Sequence, residues 1–115
     1  MKFPRSIETW GTTDFKTELE DELGCQRREF DFEEYSRKDY PDDVWNEFVV
    51  SSFRDVGETI EADCSVDFDD CSATACQDMV DRENARAFFT LSIDKETAEG
   101  TIEPDREARY NAEYY

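Results

Sequence analysis

The sequence predicts an α+β domain: a three- or four-stranded antiparallel sheet with two or three helices packed on one face. Three observations predict it. From Glu58 to Asp70, ETIEADCSVDFDD alternates strictly, with Ile60, Ala62, Cys64, Val66 and Phe68 on one side and Thr59, Glu61, Asp63, Ser65, Asp67 and Asp69 on the other. Period-2 alternation marks a half-buried strand. Ala87, Phe89, Leu91 and Ile93 repeat the pattern in 85–93. Phe15, Leu19 and Leu23 instead recur every four residues, as one face of a helix does. Strands and helices in one chain of 115 residues, with no repeat or linker, fit a single domain over residues 1–115.

Taken in order, residues 2–11 read as a short strand or an ordered arm carrying Phe3, Ile7 and Trp10. A helix follows over Asp14–Leu23, with Thr12 or Thr13 as N-cap and Gly24 as the residue after its end. Phe30 and Phe32 flank Asp31 at strand spacing. Pro41 biases Tyr40 away from helix. A second helix starts near Asp42 and Asp43, where Val44, Trp45, Phe48, Val49, Ser52, Phe53 and Val56 share one face, and Gly57 ends it. The central strand comes next. Cys71–Glu83 reads as a short helix capped by Ser72, a loop or a further strand. Strand 85–93, a turn at 94–97 and a short strand at 99–103, weakened by Gly100, make a hairpin. Pro104 ends it, leaving a tail that is a helix or an ordered arm.

Charge is the outstanding property. Thirty-one acids oppose thirteen bases, a formal charge of -18. Such a chain repels nucleic acid and anionic membrane, and attracts basic surfaces. Nine phenylalanines within 14% aromatic residues supply a core, which argues against disorder. The start, MKFPRSIETW, has no apolar stretch of signal-peptide kind, and no segment is long and apolar enough to cross a bilayer. The expectation is a cytoplasmic protein with reduced cysteines.

Enzyme chemistry finds little footing. There is no histidine, which removes Ser-His-Asp and Cys-His catalysis, and no glycine-rich phosphate loop. Cys64, Cys71 and Cys76 are spaced C-x6-C-x4-C, unlike the tight pairs of structural zinc sites, and Cys64 reads as a small core residue. An EF-hand frame begun at Asp67 places Ser72 where glycine is needed and Asp78 where a bidentate glutamate is needed. No cofactor or metal is expected, and the chain reads as a non-enzyme.

The candidate partner-binding face is therefore acidic: Glu61, Asp63, Asp67, Asp69 and Asp70 from the central strand, Glu18, Asp21 and Glu22 from the first helix, and Asp31 and Glu33 from a neighbouring strand. Tyr110, Tyr114 and Tyr115 form a second candidate, a tyrosine patch beside acids, against the simpler reading of a docked terminus. Same-face residues on a strand lie about 6.8 Å apart. One such row has about half the charge density of a DNA strand at one charge per ~3.4 Å. Two rows side by side approach that of a duplex.

Small size, extreme acidity, abundant aromatics and the missing catalytic set resemble the small acidic DNA-mimic inhibitors that phages and mobile elements direct against restriction and CRISPR nucleases. The resemblance is one of class and carries no motif and no shared fold. It implies a stoichiometric inhibitor in the infected bacterial cytoplasm that occupies the groove where a nuclease complex grips DNA or RNA. Two alternatives stand beside it. One is an acidic domain of a salt-adapted organism, since lysines number four against nine arginines. The other is an adaptor docking on a basic protein. A mimic expects one privileged acidic face; salt adaptation expects acids spread evenly.

Overall fold

The computed structural model describes residues 1–42, 47–73, 80–105 and 110–111. It is an α+β structure built on one long antiparallel pair. Strands β3 (Thr59–Ala73) and β4 (Val80–Asp94) run side by side for fifteen residues each, from Thr59 opposite Asp94 to Ala73 opposite Val80. Fifteen residues at about 3.4 Å each span ~50 Å, which accounts for the long axis of 53 Å.

Two short strands complete each outer row. β2 (Val49–Asp55) pairs with the first half of β3, and β1 (Tyr40–Asp42) with its last part, Asp69–Cys71. Across the sheet, β5 (Gly100–Pro104) pairs with Phe89–Ile93 of β4, and β6 (Tyr110–Asn111) with Ala85 and Arg86. All pairings are antiparallel. The alternation in 58–70 is thus a strand running three residues beyond the expected end, and 85–93 begins five residues earlier than expected.

The inner row of β3 is fully buried, with Ile60, Ala62, Cys64, Val66 and Phe68 each 2% exposed or less. Beyond the Ile60–Ile93 pair its partners on β4 complement it in size: Ala62 faces Leu91, Cys64 faces Phe89, Val66 faces Ala87 and Phe68 faces Ala85. A large residue opposite a small one fills the layer without overlap. The same core cluster takes in Phe15, Leu19 and Leu23 of α2 (Phe15–Cys25), together with Phe3, Phe30, Phe32, Tyr35, Phe48 and Val50. Each large apolar side chain buried in this way is worth about 1.5–3 kcal/mol.

Four expectations are corrected. Residues 4–9 form a short helix, α1 (Pro4–Thr9), in place of the expected strand or arm. Pro4 occupies its first turn, where the missing N–H costs nothing, and Lys2 alone makes a bridge, to Glu99. Helix α2 runs through Gly24 to Cys25. Its N-cap is Asp14, with no side-chain cap bond. Thr12 Oγ1 accepts from the Asp14 N–H just ahead of the helix. The segment with Phe30 and Phe32 makes two 3-10 turns, Arg27–Glu29 and Phe32–Tyr35, because both rings turn into one aromatic group. There Phe30 lies edge-on to Phe32 at 4.7 Å and stacks on Tyr35 at 5.4 Å.

The fourth correction is the largest. The expected helix 42–56 is strand β2 over Val49–Asp55; Asp43, Val44 and Trp45 fall outside the described residues. Val49, Val50, Ser51, Ser52 and Phe53 include β-branched and aromatic types that sit well on a pleated edge, and pairing with β3 outweighs their helical spacing. Gly57 does not cap a helix. It has φ +100 in a tight turn, where its N–H donates to Asp55 Oδ1 (2.8 Å) and the Val56 N–H to Thr59 O (2.9 Å). In the Cys71–Glu83 segment, 71–73 and 80–83 are strand, and the middle of the expected helix lies outside the described residues. In the tail, Tyr110 and Asn111 are strand, and Tyr114 and Tyr115 are outside the described residues.

Candidate protein-binding face

The outer face of β3 carries Glu61, Asp63, Asp67 and Asp69, all half-buried, as the alternation requires. They are not a bare ladder. Arg54 of β2 reaches Glu61 Oε1 (2.9 Å) and Asp63 Oδ2 (3.1 Å). Arg86 of β4, directly opposite Asp67, pairs with it through Nε at 2.6 Å. Arg82 bridges Asp42 on β1 and Asp69 on β3. Hydroxyls add to this: Ser52 Oγ donates to Asp63 Oδ2 (2.8 Å) and Thr90 Oγ1 to its other oxygen (3.5 Å). Three guanidinium groups thus stand among five carboxylates.

Local alternation does not point to these arginines, although the hairpins encode them. In the long hairpin, paired numbers sum to 153, which sets Asp67 against Arg86. In the short one they sum to 115, which sets Arg54 against Glu61. The first sum needs the pairing of Ala73 with Val80, and the second needs β2 to be a strand.

The other expected acids lie elsewhere. Asp70 falls in the inner row and is 0% exposed. It accepts from Ser36 Oγ (2.6 Å), the Arg37 N–H (2.8 Å) and the Lys38 N–H (3.3 Å), so it holds a chain segment rather than a partner. Glu22 is buried too; its Oε1 accepts from Ser6 N (2.6 Å) and Oγ (2.7 Å), ordering the first turn of α1. Both are withdrawn from the binding face, because a carboxylate saturated in the interior meets no partner. Glu18 is half-buried beside Arg5 at 3.8 Å, and Asp21 is exposed. Asp31 and Glu33 are exposed, with Asp31 Oδ1 accepting the Glu33 N–H (3.1 Å). Their elements send apolar residues into the cluster of the inner row, so these acids do not extend the outer ladder. Of the tyrosine patch, Tyr110 has a backbone place opposite Arg86.

Electrostatics follows the pairs. The Arg54 hydrogen bond, helped by Ser52, holds the Asp63 carboxyl below its ordinary range, and Asp63 with Glu61 raises Arg54 in return. The Lys95 hydrogen bond lowers Asp55, and the backbone N–H groups of Thr97 and Glu96 lower Asp94. A carboxyl depressed by folding adds stability above its unfolded value, about 3.9. That stability is lost as pH falls through the lower folded value. Acidification below pH 4 is therefore expected to remove the small stability these three exposed or half-exposed groups add. In Arg54→Ala, the Asp63 carboxyl is expected to titrate upward toward ~3.9, as read by carboxyl carbon shifts in an NMR titration; an unchanged midpoint would show that Arg54 does not hold it.

Among the described residues, no group of three or more histidine, cysteine or acidic side chains is placed to hold a metal ion, and no helix is long and apolar enough to cross a membrane. Cys64 sits in the inner row, where burial pushes its thiol up to about 12. Cys71 is also buried, Cys25 is exposed, and Cys76 lies outside the described residues. No protein-family model, curated protein or solved structure matches the chain.

Proposed function

We propose that the protein is a stoichiometric inhibitor of the charge-mimic kind, which places the outer face of its sheet in the basic groove of a nucleic-acid-binding enzyme complex, such as a restriction or CRISPR nuclease. The observation that supports this reading is the bracing of Glu61, Asp63, Asp67 and Asp69 by three arginines. A bound guanidinium takes only part of a carboxylate's acceptor capacity. The four side chains remain 22–48% exposed. Carboxylates already fixed in place lose less freedom when they meet a partner's lysines and arginines. The overall charge of -18 then speeds encounter with a basic groove, and salt slows it.

One observation favours the second reading, salt adaptation. Exposed acids also occur far from the ladder, at Glu8, Asp14, Glu29, Asp31, Glu33 and Glu96. The two readings part in one experiment, in which the protein competes with DNA for nuclease complexes at about 0.1 M KCl, beside the double variant Asp63→Asn/Asp67→Asn. The mimic reading expects inhibition by the parent protein and at least a tenfold loss in the variant, ~1.4 kcal/mol, with the melting temperature nearly unchanged. Equal inhibition by the variant would remove the ladder as the contact surface. A protein that folds only near 3 M KCl would favour brine.

A further inference from the structure

The half of β2 nearest its turn is an open sheet edge with an apolar companion. Backbone groups in an antiparallel pair alternate between facing the partner strand and facing away. The Val56 N–H donates to Thr59 O, and Lys95 N–H to Glu58 O. These bonds set the alternation: even residues of β3 bond to β4 and odd residues to β2. Glu61 and Asp63 thus face Arg54 and Ser52, and the amide and carbonyl groups of Phe53 and Asp55 point away from β3. Among the described residues, β2 has no strand on that side. The other half of the edge is closed, because Glu20 Oε2 accepts the Val50 N–H (2.9 Å) and the register shifts between Val50 and Ser52.

Beside the open half, Phe53 is 43% and Val56 52% exposed. Phe53 lies against Trp10 (5.9 Å) and Phe15 (4.9 Å). An extended chain laid along Phe53–Asp55 meets two unpaired amides, two unpaired carbonyls and an aromatic step. The local charge selects what that chain is. Between residues 47 and 63 there are five acids, Glu47, Asp55, Glu58, Glu61 and Asp63, against Arg54; Lys95, paired with Asp55 at 2.6 Å, is a second base here, and the edge stays net negative.

We propose that this edge receives an extended, basic peptide segment of a partner protein as an added strand, with an apolar side chain on Phe53 and Trp10 and lysines or arginines toward the exposed Glu58. Main-chain bonds supply the affinity in such additions and side chains the selection. A second copy of this chain is disfavoured by its own -18 charge.

The probe is a blocked ten-residue peptide of alternating valine and lysine, with a valine–glutamate peptide as control. Amide hydrogen exchange of the intact protein is read by NMR with and without each. The expected result is at least tenfold slower exchange at Phe53 and Asp55 with the lysine peptide and none with the glutamate peptide. Phe53→Pro deletes one outward donor without touching a β2–β3 bond, and is expected to weaken lysine-peptide binding at least tenfold. Should that variant fail to fold, exchange in the parent protein decides. Binding without protection at these two amides, or equal binding of both peptides, overturns the proposal. So does protection that rises with protein concentration alone, which would make the occupant a second copy.

Discussion

Replacing Asp70 with alanine is expected to destabilise the protein by about 3–5 kcal/mol, since three hydrogen bonds to one buried carboxyl are lost together and a hydrogen bond to a charged group is worth about 1.5–3 kcal/mol. The cost is distributed over identifiable atoms. Ser36 Oγ, the Arg37 N–H and the Lys38 N–H all point at this carboxylate. These hydrogen bonds are half-buried, and each donor that water does not reach after the change costs about 1–3 kcal/mol. Asp70 also aligns the segment that leads into β1, where the Asp39 N–H donates to Cys71 O (2.9 Å). Asp70→Asn keeps the shape but presents an amide nitrogen or a neutral oxygen to the same donors, so an intermediate loss is expected. Urea unfolding at pH 7 measures both. A loss under 1 kcal/mol in the alanine variant would mean that 36–38 swings out to water and needs no anchor.

Gly100→Ala is the second large effect, about 2–3 kcal/mol, in the upper part of the range for overpacking. Gly100 begins β5, and the Phe3 ring lies directly over it. A methyl group there would overlap Phe3 Cε2, sit 2.7 Å from Cδ2 and 3.1 Å from Leu91 Cδ1. Phe3 and Leu91 are both 0% exposed, so neither has room to retreat. The double variant Gly100→Ala/Phe3→Leu is expected to recover more than 1 kcal/mol of the combined single losses, since contacting residues couple by about 0.5–3 kcal/mol. Additive losses in urea unfolding would show that the clash is relieved by movement of the strand. This glycine reads in the sequence only as a weak point in a strand; its purpose appears once Phe3 is in place.

What the sequence disclosed well was periodicity carried by a single packing partner. β3, β4, β5 and α2 follow their apolar spacing because each presents one face to one core. The failures come from segments whose neighbours are distant in sequence. Residues 49–56 satisfy helical spacing as well as strand composition, and the choice is made by hydrogen bonds from β3, which no local pattern contains. Phe30 and Phe32 mimic strand alternation, yet they turn inward together from two tight turns. Pro4 marked a helix start in a stretch too short to show a period. The candidate face was half legible. Alternation gave the outward positions of Glu61, Asp63, Asp67 and Asp69, and the same alternation, carried two residues past Phe68, puts Asp70 inside. The braces Arg54, Arg82 and Arg86 became visible only with the registers.

The construction of the two outer rows has a consequence for how the molecule comes apart. Among the described residues, neither edge is a continuous strand. β2 and β5 flank one end of the β3–β4 ribbon, and β1 and β6 flank the other. The first end is also tied to the chain start, through Met1 O to the Gly100 N–H and Ala98 O to the Phe3 N–H, both 2.8 Å. The other is tied through Asp70 to residues 36–38. Among the described residues no edge strand spans both ends, so fraying at one need not travel to the other. The ribbon is their common axle, and its central amides are released only when the whole fold is lost, while each end opens as a cooperative unit of its own.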